Sequence, residues 1–212
     1  MEYRAVGNRC AVSLDSLHLP LSREETLAML TDKGFTLVEV DIVALARQRI
    51  GTSCFRDYAK PRDAPWFVDC SGLVRWLYAQ RGIWLPRLAI EQRRLGEVIA
   101  LEEITAGDVV FVTGCVNLYD TDPNDGVGHV GIATGEGTIV NAANERVNVV
   151  ETPLRKFVGG AEKSRLRGIR RYIPKSVEVL TFETPHGEEV EISADIRWII
   201  LQSLSKKQRK HA

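Results

Sequence analysis

The residue whose surroundings most favour chemistry is Cys70, which stands where an apolar helical stripe begins. Apolar residues recur with helical spacing after it, Asp69 can cap the helix and Gly82 can end it. A thiol in the first turn of a helix meets unpaired backbone N–H groups and the positive end of the helix dipole. We therefore expect the pKa of the Cys70 thiol to fall from about 8.5 towards roughly 3.5–7.5. The alternative is a small buried residue without chemistry.

A base for this thiol is found in a predicted hairpin, where residues 128–133 and 138–142 read as strands around the loop 135–137. A loop of three residues sets Gly131 opposite Asn141 and places His129 and Asn141 on the same face of the sheet. A loop of two residues would shift the register by one position and send Asn141 to the opposite face. The pairing of His129 with Asn141 therefore depends on an odd loop length.

These three residues have defined roles if they meet in the fold. The imidazole of His129 would take the proton of the Cys70 thiol and later protonate the leaving amine. The amide oxygen of Asn141 would hold the ring N–H and fix the tautomer of the imidazole. This is the chemistry of a cysteine hydrolase. A lone histidine on a strand and an asparagine after a turn are more often structural. The prediction of a catalytic site therefore rests on the combination of Cys70, His129 and Asn141.

Four motifs resemble the NlpC-type family of bacterial cell-wall cysteine peptidases, which have a papain-like core. The motifs are DCSGL at 69–73, GDVVF at 107–111, GHVGI at 128–132 and VNA at 140–142. The likeness extends over residues 40–173. It implies hydrolysis of an amide bond in peptidoglycan stem peptides, between the side-chain carboxyl of D-glutamate and the diamino acid. It also implies that Asp69 and Ser71 contribute to the pocket for the free amino terminus of the stem. A stem whose amine is still joined to the sugar would then be cut poorly.

The sequence departs from the family pattern at two places. Asn141 stands where histidine is common, and an amide oxygen can orient the imidazole equally well. Many members carry a tyrosine shortly after the glycine that ends the first helix, but the stretch 51–55 reads GTSCF, with Tyr58 out of register. The sequence does not show what replaces this tyrosine near Cys54. The nucleophile precedes the base, as in the peptidase branch and unlike the permuted acyltransferases.

Length and composition agree with one compact enzyme domain, and no cofactor is expected. The chain has 212 residues and a formal net charge of zero, which gives no global field for holding nucleic acid or an anionic membrane. The cysteines lack metal-ligand spacing, and a chain of this length needs no disulfide framework, so a reduced protein is expected. The acidic loop 120–125 fails the spacing of a calcium loop and is predicted to be a solvated turn. We predict no metal site and no nucleic-acid partner; the oligomeric state is open.

The predicted organisation is a prefix packed on the core (1–36), a catalytic domain (37–175) and a C-terminal extension (176–212) built from a hairpin and a helix. A capping box at 22–25 opens a first helix that runs to residue 33, and a second helix covers 40–50. Strands at 109–113, 130–133, 138–141, 147–151 and 167–172 predict a largely antiparallel sheet. The hairpin of the extension pairs 177–182 with 188–192. The fold class is α+β.

The beginning of the sequence lacks the basic and apolar regions of a secretory signal, and no segment is long enough to span a bilayer. The expected location is therefore cytoplasmic by default, or exported if the sequence belongs to a longer chain or uses another route. Peptidoglycan-derived peptides are the expected substrates. Two alternatives remain open: a related thiol amidase, deamidase or transferase that acts on a protein, and a catalytically silent binding module.

Overall fold

The computed structural model describes residues 2–159 and 165–210, with side chains up to residue 205. The strands are β1 (Arg9–Val12), β2 (Thr36–Leu37), β3 (Cys54–Phe55), β4 (Phe67–Val68), β5 (Glu97–Val98), β6 (Val109–Val112), β7 (His129–Ala133), β8 (Thr138–Asn144), β9 (Asn148–Pro153), β10 (Leu166–Arg171) and β11 (Leu180–Glu183). The helices are α1 (Arg23–Asp32), α2 (Ile42–Arg47), α3 (Cys70–Gln80), α4 (Ala89–Arg93), α5 (Leu154–Val158) and α6 (Ser193–Lys210). This mixture of helices and antiparallel strands confirms the α+β class.

The chain divides into two compact units. The larger unit comprises residues 41–77 and 85–174. Its main sheet has the strand order β5-β10-β6-β7-β8-β9, and every neighbouring pair is antiparallel. The five strands predicted for this sheet are all present, with ends that differ by a few residues. The central strand β6 is buried along its whole length, as expected for apolar residues between two covered faces.

The hairpin of β7 and β8 has the predicted register. Ile132 lies opposite Val140 and Ala133 opposite Ile139, which is the spacing of a three-residue loop. The backbone N–H of Thr134 closes this loop by donating to the carbonyl of Thr138 at 3.0 Å. A Cβ atom at Gly131 would come within 3.0 Å of Asn141 Cβ and 2.4 Å of Ile139, so only glycine fits between the strands there.

The smaller unit comprises Met1–Val40, Tyr78–Trp84 and Lys175–Ala212. Its sheet has the order β1-β11-β2, so β11 pairs with two strands from the beginning of the chain. The predicted hairpin between 177–182 and 188–192 is therefore wrong. Residue Ile192 makes an isolated bridge with Arg4 instead. β11 pairs with strands that are far away in sequence, and the local hydrophobic pattern does not specify which strand is the partner.

The same unit contains two local features that the sequence predicted. Ser22 and Glu25 form the capping box of α1, in which Ser22 Oγ accepts from the Glu25 backbone at 3.1 Å. Gly82 follows α3 with φ of 70°, and a Cβ there would lie 2.6 Å from the backbone of Cys10, so this turn requires glycine. Within the described residues, no helix combines the length and the apolar character that a membrane span needs.

Candidate functional site

The cysteine predicted as nucleophile is the first residue of α3, directly after the short strand β4. The Asp69 carboxylate caps this helix: its Oδ1 accepts from the backbone N–H of Gly72 at 2.7 Å. The Asp69 carbonyl accepts the first helical hydrogen bond, from Leu73 at 2.9 Å. The cap fixes where the helix begins, and so it fixes the position of the Cys70 side chain at the helix end.

The environment of Cys70 does not lower its pKa as the sequence predicted. Burial raises the pKa of the Cys70 thiol to about 11, and the neighbouring Asp69 carboxylate adds to the rise. Backbone hydrogen bonds from Ser71 and Val130 and the charge of Arg87 act in the opposite direction without reversing the shift. The donors expected at the helix start are thus present, but the loss of water outweighs them. The resting thiol is protonated at neutral pH.

On the opposite side of the site, His129 is the first residue of β7 and meets Asn141 on β8. The distance from His129 Nε2 to Asn141 Oδ1 is 3.0 Å. Because an amide oxygen can only accept, this contact assigns the ring proton to Nε2 and leaves Nδ1 as the basic nitrogen. The amide nitrogen of Asn141 donates to Thr152 Oγ1 at 3.2 Å, which fixes the orientation of the amide.

The imidazole of His129 lies close to an aromatic ring. Its ring centroid is 5.4 Å from that of the buried Phe157, which belongs to α5. Burial lowers the pKa of His129 below its usual 6.5, the hydrogen bond to Asn141 opposes that change, and the charge of Arg165 adds to it. Neutral imidazole is therefore the resting form at neutral pH, which is the form that can accept a proton.

The structure brings the two sides of the site together through the backbone of β7. The Cys70 sulfur is within hydrogen-bonding reach of the Val130 backbone, and Val130 directly follows His129. Cys70 therefore lies at a helix start beside the first residues of β7, and Asn141, inside the neighbouring strand β8, holds His129 by a hydrogen bond. This arrangement can pass a proton from a thiol to an oriented neutral imidazole.

Asp69 and Ser71 flank the cysteine and are both buried. Arg87 joins them: one guanidinium nitrogen donates to Asp69 Oδ1 at 3.1 Å and to Ser71 Oγ at 2.9 Å. The other guanidinium nitrogen contacts Asp69 Oδ2 and donates to the Ala59 carbonyl at 3.1 Å. Arg87 was not predicted to belong to the site. The only sequence signal was a charged residue inside the otherwise apolar stretch 83–88.

Helix α4 connects both sides of the site to the rest of the unit. The fully buried Gln92 donates to the Ser71 carbonyl at 3.0 Å. The next residue, Arg93, donates to both carboxylate oxygens of Asp125 at 2.6 and 2.7 Å, and Arg94 pairs with Asp120. The acidic loop before His129 is exposed, as predicted for a solvated turn, and two of its carboxylates pair with arginines. Within the described ranges, no three acidic, cysteine or histidine side chains form a group that could hold a metal ion.

The segment where the family tyrosine was sought contains an exposed cysteine. Cys54 lies on β3, and its backbone N–H donates to the carbonyl of Trp66 at 2.8 Å. Tyr58 is 86% exposed and adopts φ of 54°.

Comparison with known sequences identifies a matching family and several relatives. The sequence model of the NlpC/P60 family matches residues 57–168. The gamma-DL-glutamyl hydrolase of Bacillus subtilis is 32% identical over 157 residues, which are 72% of this chain and 35% of that protein. The bifunctional muramidase/DL-endopeptidase CwlT of Bacillus subtilis is 45% identical over 74 residues, which are 35% of this chain and 21% of that protein. The chain therefore spans only about a third of the first relative and a fifth of the second.

Solved structures show the same architecture. NlpC2 from Trichomonas vaginalis superposes with a TM-score of 0.51 at 24% identity, over 63% of this chain and 46% of that chain. NlpC1 from the same organism gives a TM-score of 0.50 at 25% identity, over 62% of this chain and 42% of that one. The papain-like α+β fold that the resemblance implied is confirmed.

Proposed function

The chain belongs to the NlpC/P60 family, and on that premise we propose that it is a cysteine peptidase of peptidoglycan stem peptides. The bond cleaved joins the side-chain carboxyl of D-glutamate to the amino group of the diamino acid. The names of its relatives, which include a gamma-DL-glutamyl hydrolase and a DL-endopeptidase, support this choice of bond. Cys70 is the nucleophile, His129 the general base and acid, and Asn141 the residue that orients the imidazole.

The resting protonation states define the first step. Cys70 is a thiol and His129 a neutral imidazole, so the thiol proton moves to His129 Nδ1 as the sulfur attacks the amide carbonyl. Backbone N–H groups of Ser71 and Val130 stabilise the developing charge on sulfur. The Asn141 oxygen, hydrogen-bonded to Nε2, stabilises the imidazolium that forms.

The remaining steps return both residues to their resting states. The imidazolium gives its proton to the nitrogen of the diamino acid, the C–N bond breaks, and a thioester joins Cys70 to the glutamyl carbonyl. A water molecule then loses a proton to His129 and attacks the thioester. Collapse of the intermediate releases the glutamyl carboxylic acid, and the proton on His129 returns to the Cys70 sulfur.

Asp69 and Ser71 lie beside the nucleophile and would line the pocket for the amino-terminal end of the stem. Their position on either side of Cys70, in a buried cluster with Arg87, supports this role. Asp69 has a second role as the cap of α3, so its removal affects the position of Cys70 as well as the pocket.

The observation that carries the proposal is the hydrogen bond between His129 and Asn141, next to the strand residue that contacts the Cys70 sulfur. This is a base with a fixed tautomer, which a silent module does not need. The test is to incubate the protein with tripeptide and tetrapeptide stems and with intact sacculi, and to identify the products by mass spectrometry.

The proposal predicts a product with a free diamino-acid amine and a new glutamyl γ-carboxyl group, absent with Cys70→Ala. Cys115→Ala, which removes an exposed thiol, is the matched control and should cleave normally. Absence of cleavage of every stem and of sacculi by the wild-type protein would contradict the proposal. Thioester formation on Cys70 with a protein amide in place of a stem would favour the amidase or transferase alternative.

A further inference from the structure

Strand β10 has an irregularity at which three arginine side chains come together. Its register with β6 shifts between Leu166 and Gly168, so Arg167 is an extra residue between two paired positions. Such a bulge bends the strand and changes the direction of its side chains. Gly168 has φ of 132°, and a Cβ atom there would lie 3.2 Å from Arg170 Nη1 and 3.7 Å from Arg93 Cδ. We call Arg93, Arg167 and Arg170 the arginine cluster.

Hydrogen bonds to backbone oxygens hold the arginine cluster together. Arg93 donates to the carbonyl of Arg167 at 2.9 Å, and Arg170 Nε donates to the carbonyl of Arg93 at 2.6 Å. Arg167 Nη1 donates to the carbonyl of Leu166 at 2.8 Å. Because a carbonyl oxygen carries no formal charge, none of these contacts neutralises a guanidinium group. The fold therefore fixes three cations close together with neutral acceptors.

The carboxylate that faces the arginine cluster is that of Asp125. Its two oxygens accept from Arg93 at 2.6 and 2.7 Å. This interaction is the main cause that lowers the pKa of Asp125; burial opposes it, and the charges of Arg93, Arg167 and Arg170 lower the pKa further. Among the residues that the structure describes, no carboxylate forms a salt bridge with Arg167 or Arg170. Two of the three positive charges are thus uncompensated.

Parts of the arginine cluster are removed from water. The side chain of Arg93 is only 11% exposed. Burial lowers the pKa of Arg170, and the charge of Arg93 lowers it further. The buried Nε of Arg167 donates to no acceptor within the described part of the chain. A buried donor without an acceptor and like charges in contact are both unfavourable. An anion bound to the cluster would relieve both effects.

We propose that the arginine cluster is a binding site for a phosphate dianion. Arg167 and Arg170 would supply the hydrogen-bond donors, and Arg93, which is already paired with Asp125, would add its charge. Phosphate at neutral pH carries up to about two negative charges on one compact centre, which matches the two uncompensated cations. Guanidinium groups also bind phosphate oxygens through paired hydrogen bonds. A single carboxylate would balance only one of the two charges. The inference does not depend on the proposed peptidase function.

The test titrates the intact protein with inorganic phosphate at constant ionic strength and measures binding by isothermal titration calorimetry. Saturable binding to one site is expected, with a Kd of about 1 mM or tighter. Glutarate is the matched probe, because it carries the same charge on two separated carboxylates. It should bind at least about tenfold more weakly than phosphate. Absence of saturable phosphate binding, or glutarate binding as tight as that of phosphate, would overturn the proposal.

Removing the carboxylate that competes with the ligand should strengthen binding. Asp125→Asn preserves the shape of the side chain and leaves all three cations uncompensated, so the affinity for phosphate should rise by about tenfold. Glu178→Gln is the matched control, because Glu178 also pairs with an arginine, Arg23, outside the cluster. Its affinity should equal that of wild type. A gain in affinity cannot result from a damaged fold. An Asp125→Asn affinity no higher than that of wild type would overturn the proposal.

Removing a cation should weaken binding. Arg167→Gln and Arg170→Gln each lose a charge and a charged donor, so each should lower the affinity for phosphate at least about tenfold. Arg23→Gln removes a cation of the smaller unit and should leave the affinity unchanged. An equal loss in Arg23→Gln would show that phosphate responds only to the general surface charge, and would overturn the site. These measurements need no peptide substrate, so their outcome is separate from that of the peptidase assay.

Discussion

The turn that carries Cys70 is held by charges, whereas the strands that carry His129 and Asn141 are held by neutral hydrogen bonds. On the first side, a carboxylate and a guanidinium lie against the nucleophile. On the second side, the base contacts an amide and an aromatic ring, and a hydroxyl accepts a hydrogen bond from that amide. Removing an existing charge should therefore affect mainly the thiol side, and changing the orientation of a side chain should affect mainly the base side.

The largest expected effect is common to both sides. Cys70→Ala removes the nucleophile and His129→Ala removes the base, so each should lower kcat/KM by at least about a thousandfold. The double variant should cost little more than either single variant, because the two residues act as one unit. Steady-state kinetics on a cleaved stem peptide measure this. A His129→Ala enzyme with near-normal kcat would mean that another residue is the base.

A smaller loss is expected when only the orientation of the base is affected. Asn141→Ala leaves the imidazole in place but frees its tautomer and its ring orientation, so kcat should fall by roughly a hundredfold. The fall should appear in kcat more than in KM, because Asn141 acts through the imidazole of His129. Equal losses in Asn141→Ala and His129→Ala would show that the amide is as indispensable as the imidazole.

Introducing a charge on the neutral side should move the pH profile. The pKa of His129 is lowered by burial, so the protein should stay active below pH 6.5, and its activity should fall only as His129 becomes protonated. In Asn141→Asp a carboxylate would stabilise the imidazolium and raise that pKa, so the acid limb of kcat/KM should shift to higher pH. An acid limb at the same pH in both enzymes would show that His129 does not control it.

The smallest effect should come from the second partner of the amide. Thr152→Val preserves the shape of the side chain but removes the oxygen that accepts from Asn141. Loss of this single hydrogen bond should make the observed orientation of the Asn141 amide less favourable by about 1 kcal/mol, and kcat should fall several-fold. A loss as large as that of Asn141→Ala would show that the wider hydrogen-bond network, and not Asn141 alone, orients the imidazole.

Much of the base side could be predicted from sequence. Glycines around the turn and the alternation of apolar residues in the strands indicate a loop with an odd number of residues. That loop length sets the register that places His129 and Asn141 on one face of the sheet. The helix start at Cys70 was predictable for a similar reason, since a cap and an apolar stripe are local signals. These features depend on neighbours within about a dozen residues.

The thiol side was less predictable because its properties depend on packing. The partnership of Arg87 with Asp69 joins a loop to a helix cap without any periodic pattern. The raised pKa of Cys70 comes first from burial, which sequence spacing does not report. The wrong C-terminal hairpin has the same origin, since β11 pairs with β1, where Cys10 lies opposite Phe182. Partners distant in sequence decided each of these outcomes.

The most direct test of the account is the pH dependence of alkylation at Cys70. Only the thiolate reacts, so the labelling rate follows the ionised fraction. With a pKa of about 11, the Cys70 rate should keep rising with pH beyond 9, and at neutral pH it should be lower than that of the exposed Cys54. Mass mapping after timed labelling gives both rates in one sample. A rate at Cys70 that reaches its plateau below pH 7 would contradict the account, because it would show a preformed thiolate–imidazolium pair.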